Sequence, residues 1–317
     1  MSGEQFDLVV VGGGPGGYAA AFYAASAGMK VALVEKDTIG GTCLNRGCIP
    51  AKAFLESAAV FRHVAHAKDF GIEATAPAVN FAVVQARKQT IVNNLVKGLT
   101  GLTKSKKVTY LLGAGSLGAD RTVTVRAADG STRTLVGANV ILAPGSVPRT
   151  IPGFDVGGPI MTSDEVLALD KIPARIAVIG GGAIGCEFAS CLSDLGAAVT
   201  ILEGLPKVLP GLDHDVANVV VKTFKKKNID IRTDVKITGH TPNAAGGTTV
   251  SFGSGDTLEV DAVVVSVGRR PYTDELGLSG TKVKVSERGF VEVDGYCQTA
   301  EPNVYAVGDV IATAQLA

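Results

Sequence analysis

The residues best able to do chemistry lie in the segment GGTCLNRGCIPAK, residues 40–52, where Cys43 and Cys48 sit five positions apart. Gly40, Gly41 and Gly47 loosen the backbone around them. Two thiols held this close can exchange with an external dithiol or disulfide, a two-electron step. A helix starting in the segment would favour a thiolate. Spacing alone does not prove this, because it recurs at Cys186 and Cys191. Those two fall inside an Ala-rich helical pattern, where five residues turn the chain by roughly 500° and leave the side chains about 140° apart. A regular helix cannot bridge them, so they read as core cysteines, and Cys297 as structural. The four histidines, His63, His66, His214 and His240, are scattered without metal-ligand spacing. They read as surface or loop residues, no metal site is expected, and no Ser-His-Asp arrangement is evident.

Something must position the dithiol, and the chain contains one unit twice. Residues 6–36 and 174–204 each run apolar strand, G-x-G-x-x-G, Ala-rich helix, Gly, apolar strand, acid, with Gly12 and Gly180, Gly17 and Gly185, and Glu35 and Glu203 all 168 apart. Each part has a physical use. The first glycine allows a tight turn, the second (Gly14, Gly182) lets a pyrophosphate approach the backbone, and the third permits close helix–strand packing. The helix N-terminus offers N–H groups and a positive dipole end, and the acids accept bonds from ribose hydroxyls. Two such sites imply two dinucleotides, a flavin paired with a nicotinamide. The thiol segment passes beyond the strand ends, where the flavin ring of the first unit would lie. Glu203, followed by Gly204 and Leu205 with no Arg, would repel a 2′-phosphate, which favours NAD over NADP.

Composition excludes other classes. Lys plus Arg and Asp plus Glu each number 30, so there is no basic excess for nucleic acid. The lysine runs at 104–107 and 225–227 lack interleaved aromatics and read as solvated faces. Residues 8–29 carry no charge but are broken by Gly12, Gly13, Gly14, Pro15, Gly16 and Gly17, and acids rather than basic residues precede them. They read as strand, glycine turn and helix, not a membrane span or signal peptide, and a cytoplasmic location is expected. Glycine, at 40 of 317 residues, is well above the usual share of about 7%. Five cysteines in a chain this long do not make a secreted disulfide scaffold.

With these residues in view, the chain resembles the pyridine nucleotide–disulfide oxidoreductases. Leu44, Asn45 and Arg46 between the cysteines resemble the dihydrolipoamide dehydrogenase branch more than glutathione or mercuric reductases. The resemblance runs through ILAPGS, GRRP and VYAVGD in order and covers essentially the whole chain. It implies that Cys43 is the interchange thiol and Cys48 the thiol facing the flavin, with Lys52 near the flavin ring and paired with Glu187. It implies FAD contacts at Gly12, Gly14, Gly17, Glu35, Lys36, Gly41, Thr42, Lys52, Gly145, Ser146 and Asp309, and at Gly115 near the adenine end. NAD contacts would be Gly180, Gly182, Gly185, Glu187, Glu203, Ile237 and Gly268. The implied reaction oxidises protein-bound dihydrolipoamide, passing electrons through the dithiol and FAD to NAD⁺. The alternatives are another NAD(P)H-dependent disulfide reductase, of glutathione or mercuric type, and a non-catalytic FAD-binding fragment.

Two departures stand out. Ala143, Pro144 and Gly145 replace a usual Ala-Thr-Gly, removing one backbone N–H; Ala51 for a commoner Ser is a minor change. The last residues, VIATAQLA, read as a helix opening cut after two turns. The resemblance implies a further dimer-forming domain, whose Glu-oriented His serves the partner's dithiol, and no residue here matches that His. The chain is therefore expected to be a fragment impaired in the lipoamide half-reaction. A full-length chain would be a homodimer that serves a lipoamide-bearing protein or a small disulfide substrate, within a 2-oxo acid dehydrogenase complex. The expected fold is α/β, with two Rossmann-like domains of mostly parallel sheet in three layers. The FAD-binding domain is placed at 1–149 and completed by 281–317, and the NAD-binding domain at 150–280. An antiparallel hairpin, residues 120–136, is added to the first sheet around Asp129 and Gly130.

Overall fold

The structure is a computed structural model that describes residues 3–244 and 246–315. Its fold is α/β and falls into two compact units: Met1–Ile49, Val92–Val147 and Arg270–Ala317 in one, Pro50–Ile91 and Pro148–Arg269 in the other.

The first unit opens with strand β1 (Glu4–Val11), helix α1 (Pro15–Ser26) and strand β2 (Val31–Glu35). Residues 8–29 thus form strand, glycine turn and helix. Next come α2 (Gly41–Arg46), α3 (Cys48–Ala65) and α4 (Phe81–Ser105). Helix α4 groups with the second unit up to Ile91 and with the first from Val92. Strands β3 (Thr109–Leu112), β4 (Ala114–Leu117), β5 (Thr122–Arg126) and β6 (Thr132–Leu142) complete the run. The sheet order is β3-β2-β1-β6-β5-β4, and Val304–Ala306 adds a seventh strand against β6. All neighbours are parallel except β4–β5 and β5–β6. The hairpin expected around Asp129 and Gly130 is present, but its second arm is longer than its turn suggested. Strand β6 pairs β5 through Val136 and then runs beside β1 to Leu142.

Side chains alternate across this sheet, as the two-residue strand period requires. Leu8, Val10, Val31 and Leu33 pack with Ala21 and Phe22 of α1. Val9, Val11, Ala32 and Val34 face Leu117, Val123 and Leu135. Burial on both faces explains the near-continuous apolar runs in the parallel strands.

Strand β7 (Ser146–Pro148) carries the chain across a unit boundary. The second unit then contains β8 (Ile160–Met161), α5 (Ser163–Leu167), β9 (Arg175–Ile179), α6 (Ala183–Asp194), β10 (Ala198–Leu202), α7 (His214–Lys226) and β11 (Asp230–Arg232). Strands β12 (Ile237–Pro242), β13 (Thr248–Phe252), β14 (Asp256–Val260) and β15 (Ala262–Val265) follow, and β16 (Arg269–Pro271) crosses back. The main sheet is parallel throughout, in the order β11-β10-β9-β15-β8, and β12-β13-β14 form a separate antiparallel sheet. Ile176, Val178, Val199 and Ile201 pack under α6 and α7, together with Ala51, Phe54 and Ala58 of α3. Ala177, Ile179, Val263 and Val265 meet Val250 and Phe252 of the antiparallel sheet.

The domain boundaries expected from the sequence are 149/150 and 280/281. The compact units divide at 147/148 and 269/270 and assign residues 50–91 to the second unit. The apolar face of α3 accounts for that assignment, because Phe54 is only 2% exposed in the second unit's core.

Three smaller expectations need correction. The end of the chain forms no helix among the described residues: 308–313 make turns and bends, closed by Ile311 N–H to Gly308 O and Thr313 N–H to Ile311 O. Residues 312–315 are exposed, so no packing compensates the cost of nucleating a helix there; Leu316 and Ala317 lie outside the described residues. The lysine run 225–227 is not wholly solvated. The Lys227 side chain is 14% exposed and its ammonium lies 2.7 Å from the buried Asp194 carboxylate, which needs a counter-charge. His240 is not a loop residue; it lies on β12, half-buried, its ring tilted against that of Phe154 with centroids 4.8 Å apart and bonded to Thr248 Oγ1.

Candidate active site

The first glycine loop is shaped by backbone proximity. Gly12 adopts φ +109°, and a Cβ there would lie 2.0 Å from Ala143 O. A Cβ on Gly17 would lie 1.8 Å from Gly12 O, so α1 crosses the turn closely. Helix α1 starts at Gly14 with no side-chain cap and no acid in its first turn, which leaves its N–H groups open to an anion. Glu35, at the carboxyl end of β2, is 9% exposed. Its carboxylate accepts the Gly13 N–H at 2.7 Å and the Asp37 N–H at 2.9 Å. Sequence reasoning assigns this acid to a ribose, but it also fastens the loop. A carboxylate has about four lone-pair positions, so two bonds leave capacity for a ligand.

The second loop repeats this geometry. Gly180 has φ +103° and a Cβ there would lie 2.6 Å from Ser266 O; a Cβ on Gly185 would lie 2.0 Å from Gly180 O. Helix α6 starts at Gly182 without a cap. Glu203 accepts the Gly181 N–H at 2.5 Å and the Leu205 N–H at 2.7 Å. By contrast, α5 has a complete capping box, with Thr162 and Glu165 closing its N-terminus. The two helices behind the glycine loops lack such a cap, as α7 also does, and leave N–H groups that an anion could meet.

The thiol segment is seated on the first loop. Gly40 N–H donates to Gly13 O at 2.8 Å, and a Cβ on Gly41, which has φ +58°, would lie 2.5 Å from Gly14 Cα. Cys43 lies on α2 and Cys48 opens α3, so the two thiols belong to separate helices. Gly47 makes the break, and a Cβ there would sit 3.0 Å from Thr42 O and 3.4 Å from Cys43 Cα. Residues in the segment hold it in place. Asn45 Nδ2 donates to the carbonyls of Thr38, Ile39 and Gly41, and Arg46 pairs with Asp37 at 2.5 Å. Both thiols are half-buried. Tyr18 of α1 is close to this segment: burial, and then the charge of Cys43, raise its phenol above the ordinary value. Cys186 and Cys191 differ from this pair. Both lie in the core on one helix; burial, helped by Glu203 and Glu187, pushes Cys186 to about 11, and burial with Asp194 pushes Cys191 to about 12.

The remaining expected site residues fall into groups. Lys52 of α3 and Glu187 of α6, 135 residues apart, meet at 2.6 Å within the second unit. Ser146 Oγ donates to Asp309 Oδ2 at 2.6 Å, which joins the ILAPGS and VGD motifs in the first unit. Glu35, Lys36 and Gly115 line an open cavity with about 420 Å³ of empty space, together with Gly12, Pro144, Tyr272, Glu275 and Leu276. Gly145 (φ +76°) and Gly268 (φ +109°) each have open space on the side where a Cβ would project, with no neighbouring atom within 4 Å of it. Thr42 is half-buried on α2. Ile237 packs partly against the core between the main and antiparallel sheets, so part of its side chain is committed to packing. Sequence reasoning misses Tyr272 and Glu275, because their only signal is a position shortly after GRRP. Among the described residues, no group of His, Cys, Asp or Glu could hold a metal ion, and no helix is long and apolar enough to cross a membrane.

Comparison with known proteins agrees with this geometry. The chain is 40% identical over 317 residues to a dihydrolipoyl dehydrogenase of Bacillus subtilis, covering 99% of this chain and 67% of that protein. It is also 40% identical to a dihydrolipoyl dehydrogenase of Chlamydia pneumoniae, over 97% of this chain and 66% of the relative. The chain thus spans about two thirds of the length of these relatives. Among solved structures, LpdA from Mycobacterium tuberculosis superposes with a TM-score of 0.92 at 28% identity, over 99% of this chain and 69% of that one. The HOCl-induced flavoprotein disulfide reductase RclA from Escherichia coli gives 0.88 at 27% identity, over 100% and 68%. Fold, thiols and relatives together define a flavin-dependent disulfide oxidoreductase. Residues 6–317 match the pyridine nucleotide–disulphide oxidoreductase family, and the chain belongs to it.

Proposed function

We propose that this chain oxidises a dihydrolipoyl dithiol carried on a partner protein, with FAD held by the first unit and NAD by the second. The observation that carries this reading is the backbone attachment of the Cys43–Cys48 segment to the first glycine loop, through Gly40 and Gly13. The residues fit a flavin dinucleotide. Gly12, Gly14 and Gly17 present a Cβ-free cradle at an uncapped helix start, Glu35 has acceptor capacity to spare, and the cavity beside Glu35 continues to Gly115. Gly41, Thr42, Gly145 and the Ser146–Asp309 pair would hold the flavin half. Gly180, Gly182, Gly185, Glu187, Glu203, Ile237 and Gly268 would hold NAD, and the Glu203 carboxylate disfavours a 2′-phosphate.

The chain's own chemistry is thiol–disulfide exchange. A substrate thiolate attacks the Cys43 sulfur of a Cys43–Cys48 disulfide, forming a mixed disulfide and releasing the Cys48 thiolate. The second substrate thiolate then attacks its neighbouring sulfur, closing the substrate disulfide and releasing the Cys43 thiolate. Two protons leave the substrate, so a proton acceptor must stand near Cys43. Bound flavin supplies a two-electron acceptor for the dithiol and a hydride donor for NAD⁺.

The test is an anaerobic absorbance titration of the purified chain with NADH, followed by turnover with dihydrolipoamide and with glutathione disulfide. The expected result is NADH-driven bleaching of the flavin and a long-wavelength band that disappears in Cys48→Ser. A colourless chain, or a yellow one that NADH leaves oxidised, would refute the reading. Preference for glutathione disulfide and NADPH would instead support a reductase of the glutathione type.

A further inference from the structure

Three side chains at the open cavity of the first unit form a chain of contacts that the reaction does not require. Lys36 directly follows Glu35 and is exposed, and its ammonium lies 3.6 Å from the centroid of the Tyr272 ring. Tyr272 Oη donates to the Glu275 carboxylate. All three line the cavity with Glu35, Gly115 and Leu276. Tyr272 and Glu275 belong to a segment, 270–277, that is tied to the first unit at several points. Tyr272 N–H donates to Gly145 O at 3.0 Å, and Leu276 O accepts Leu117 N–H at 2.7 Å. Arg270 pairs with Asp274 at 2.7 Å across one turn of the segment. Gly277 adopts φ +69° where a Cβ would lie 2.6 Å from Leu117 O, so the strap lies tightly on β4. The aromatic ring is therefore held by backbone bonds, whereas the lysine reaches it on a flexible stem from the end of β2. A cation held over a ring at this distance is a stabilising contact, and one that can open without unfolding anything.

We propose that Lys36, Tyr272 and Glu275 are a latch over the nucleoside end of the first dinucleotide pocket, and that the Lys36–Tyr272 contact sets how slowly the bound dinucleotide leaves. The proposal rests on reading that pocket as the flavin dinucleotide's. The latch lies beside Glu35, so the end it closes is the one that carries the ribose hydroxyls. Two carboxylates, Glu35 and Glu275, flank that end, so the latch accommodates an adenosine with free hydroxyls and opposes one bearing a phosphate. Its action is positional: Lys36 and Tyr272 touch no reacting atom.

Release of FAD is followed as the recovery of flavin fluorescence after dilution of the loaded chain. Lys36→Met and Tyr272→Ala should release FAD about two- to fivefold faster than the unmodified chain, the change expected on losing a cation–π contact at an exposed site. Lys36→Arg and Tyr272→Phe keep a cation over a ring and should stay within about 1.5-fold of it. Lys36 is exposed, so its variants test the latch even if Tyr272→Ala folds poorly. Equal release rates in all four variants would overturn the latch, and so would release from Lys36→Arg as fast as from Lys36→Met. An unmodified chain that binds no FAD would overturn the reading of the pocket, and the latch with it. The two failures are distinct, because the first is seen in chains that are yellow before dilution.

Discussion

Cys43 and Cys48 have the same spacing as Cys186 and Cys191, yet the two pairs have opposite chemical prospects. The difference is local. Gly47 splits the first pair between two helices at a half-buried position, whereas the second pair shares one helix in the core. Burial raises the Cys186 and Cys191 thiols to about 11 and about 12, so at pH 8 only about one Cys186 in a thousand would be a thiolate. After mild reduction, iodoacetamide at pH 8 should modify Cys43 and Cys48 and spare Cys186 and Cys191 until the chain is denatured. Peptide mapping would show it, and modification of Cys186 at the rate of Cys48 would contradict the assignment. Glu35 and Glu203 are equally instructive at this scale. Each looks like a ribose acceptor in the sequence, and each also binds the backbone of its own glycine loop. Replacing either acid would therefore disturb its glycine loop directly.

Helix α5 shows how an element is finished when no ligand completes it. Thr162 Oγ1 accepts the Asp164 N–H, and the Glu165 carboxylate returns to the Thr162 N–H. Burial opposes ionisation of Glu165, but the bonds from Thr162 outweigh it and hold the carboxyl below its ordinary value. A carboxylate with a lowered folded pKa contributes stability that is full above its unfolded value and lost as pH falls through the folded one. Thr162→Ala should cost about 1 kcal/mol at pH 7. The gap from the unmodified chain should narrow without vanishing as the medium is acidified below the ordinary carboxylate range, because the Asp164 N–H bond to Thr162 is lost at every pH. Denaturant titrations at neutral and acidic pH would measure this; a gap that does not change with pH would mean that Glu165 takes no part. Helices α1 and α6 have no such cap, and in the proposed reading a dinucleotide phosphate would complete their starts.

For the whole molecule, two compact units each have helices packed on one face of a sheet, mixed in the first unit and parallel in the second. If each unit holds one dinucleotide, each ligand should stabilise its own unit. Binding at a hundredfold over Kd contributes about 2.7 kcal/mol. Amide exchange should therefore slow with FAD in β1, β2 and α1, and with NAD⁺ in β9, β10 and α6. Protection by NAD⁺ confined to the first unit would reverse the assignment. Much of this organisation was legible in the sequence. The doubled strand–glycine–helix–strand–acid pattern is local, because sterics require glycine at Gly12 and Gly17 and strand period sets the apolar runs. The antiparallel hairpin was legible for the same reason. Other features depend on residues far apart in the chain, and no local pattern encodes them. The grouping of 50–91 with the second unit rests on Phe54 finding a core more than a hundred residues away. The half-burial of His240, the enclosure of Lys227 by Asp194 and the turns at 308–313 depend on what each segment packs against. So does the Lys36–Tyr272 contact, between residues 236 positions apart in the chain. Covalent sterics and side-chain period act over a few residues and can be read directly; burial and long-range pairing exist only once the chain has folded.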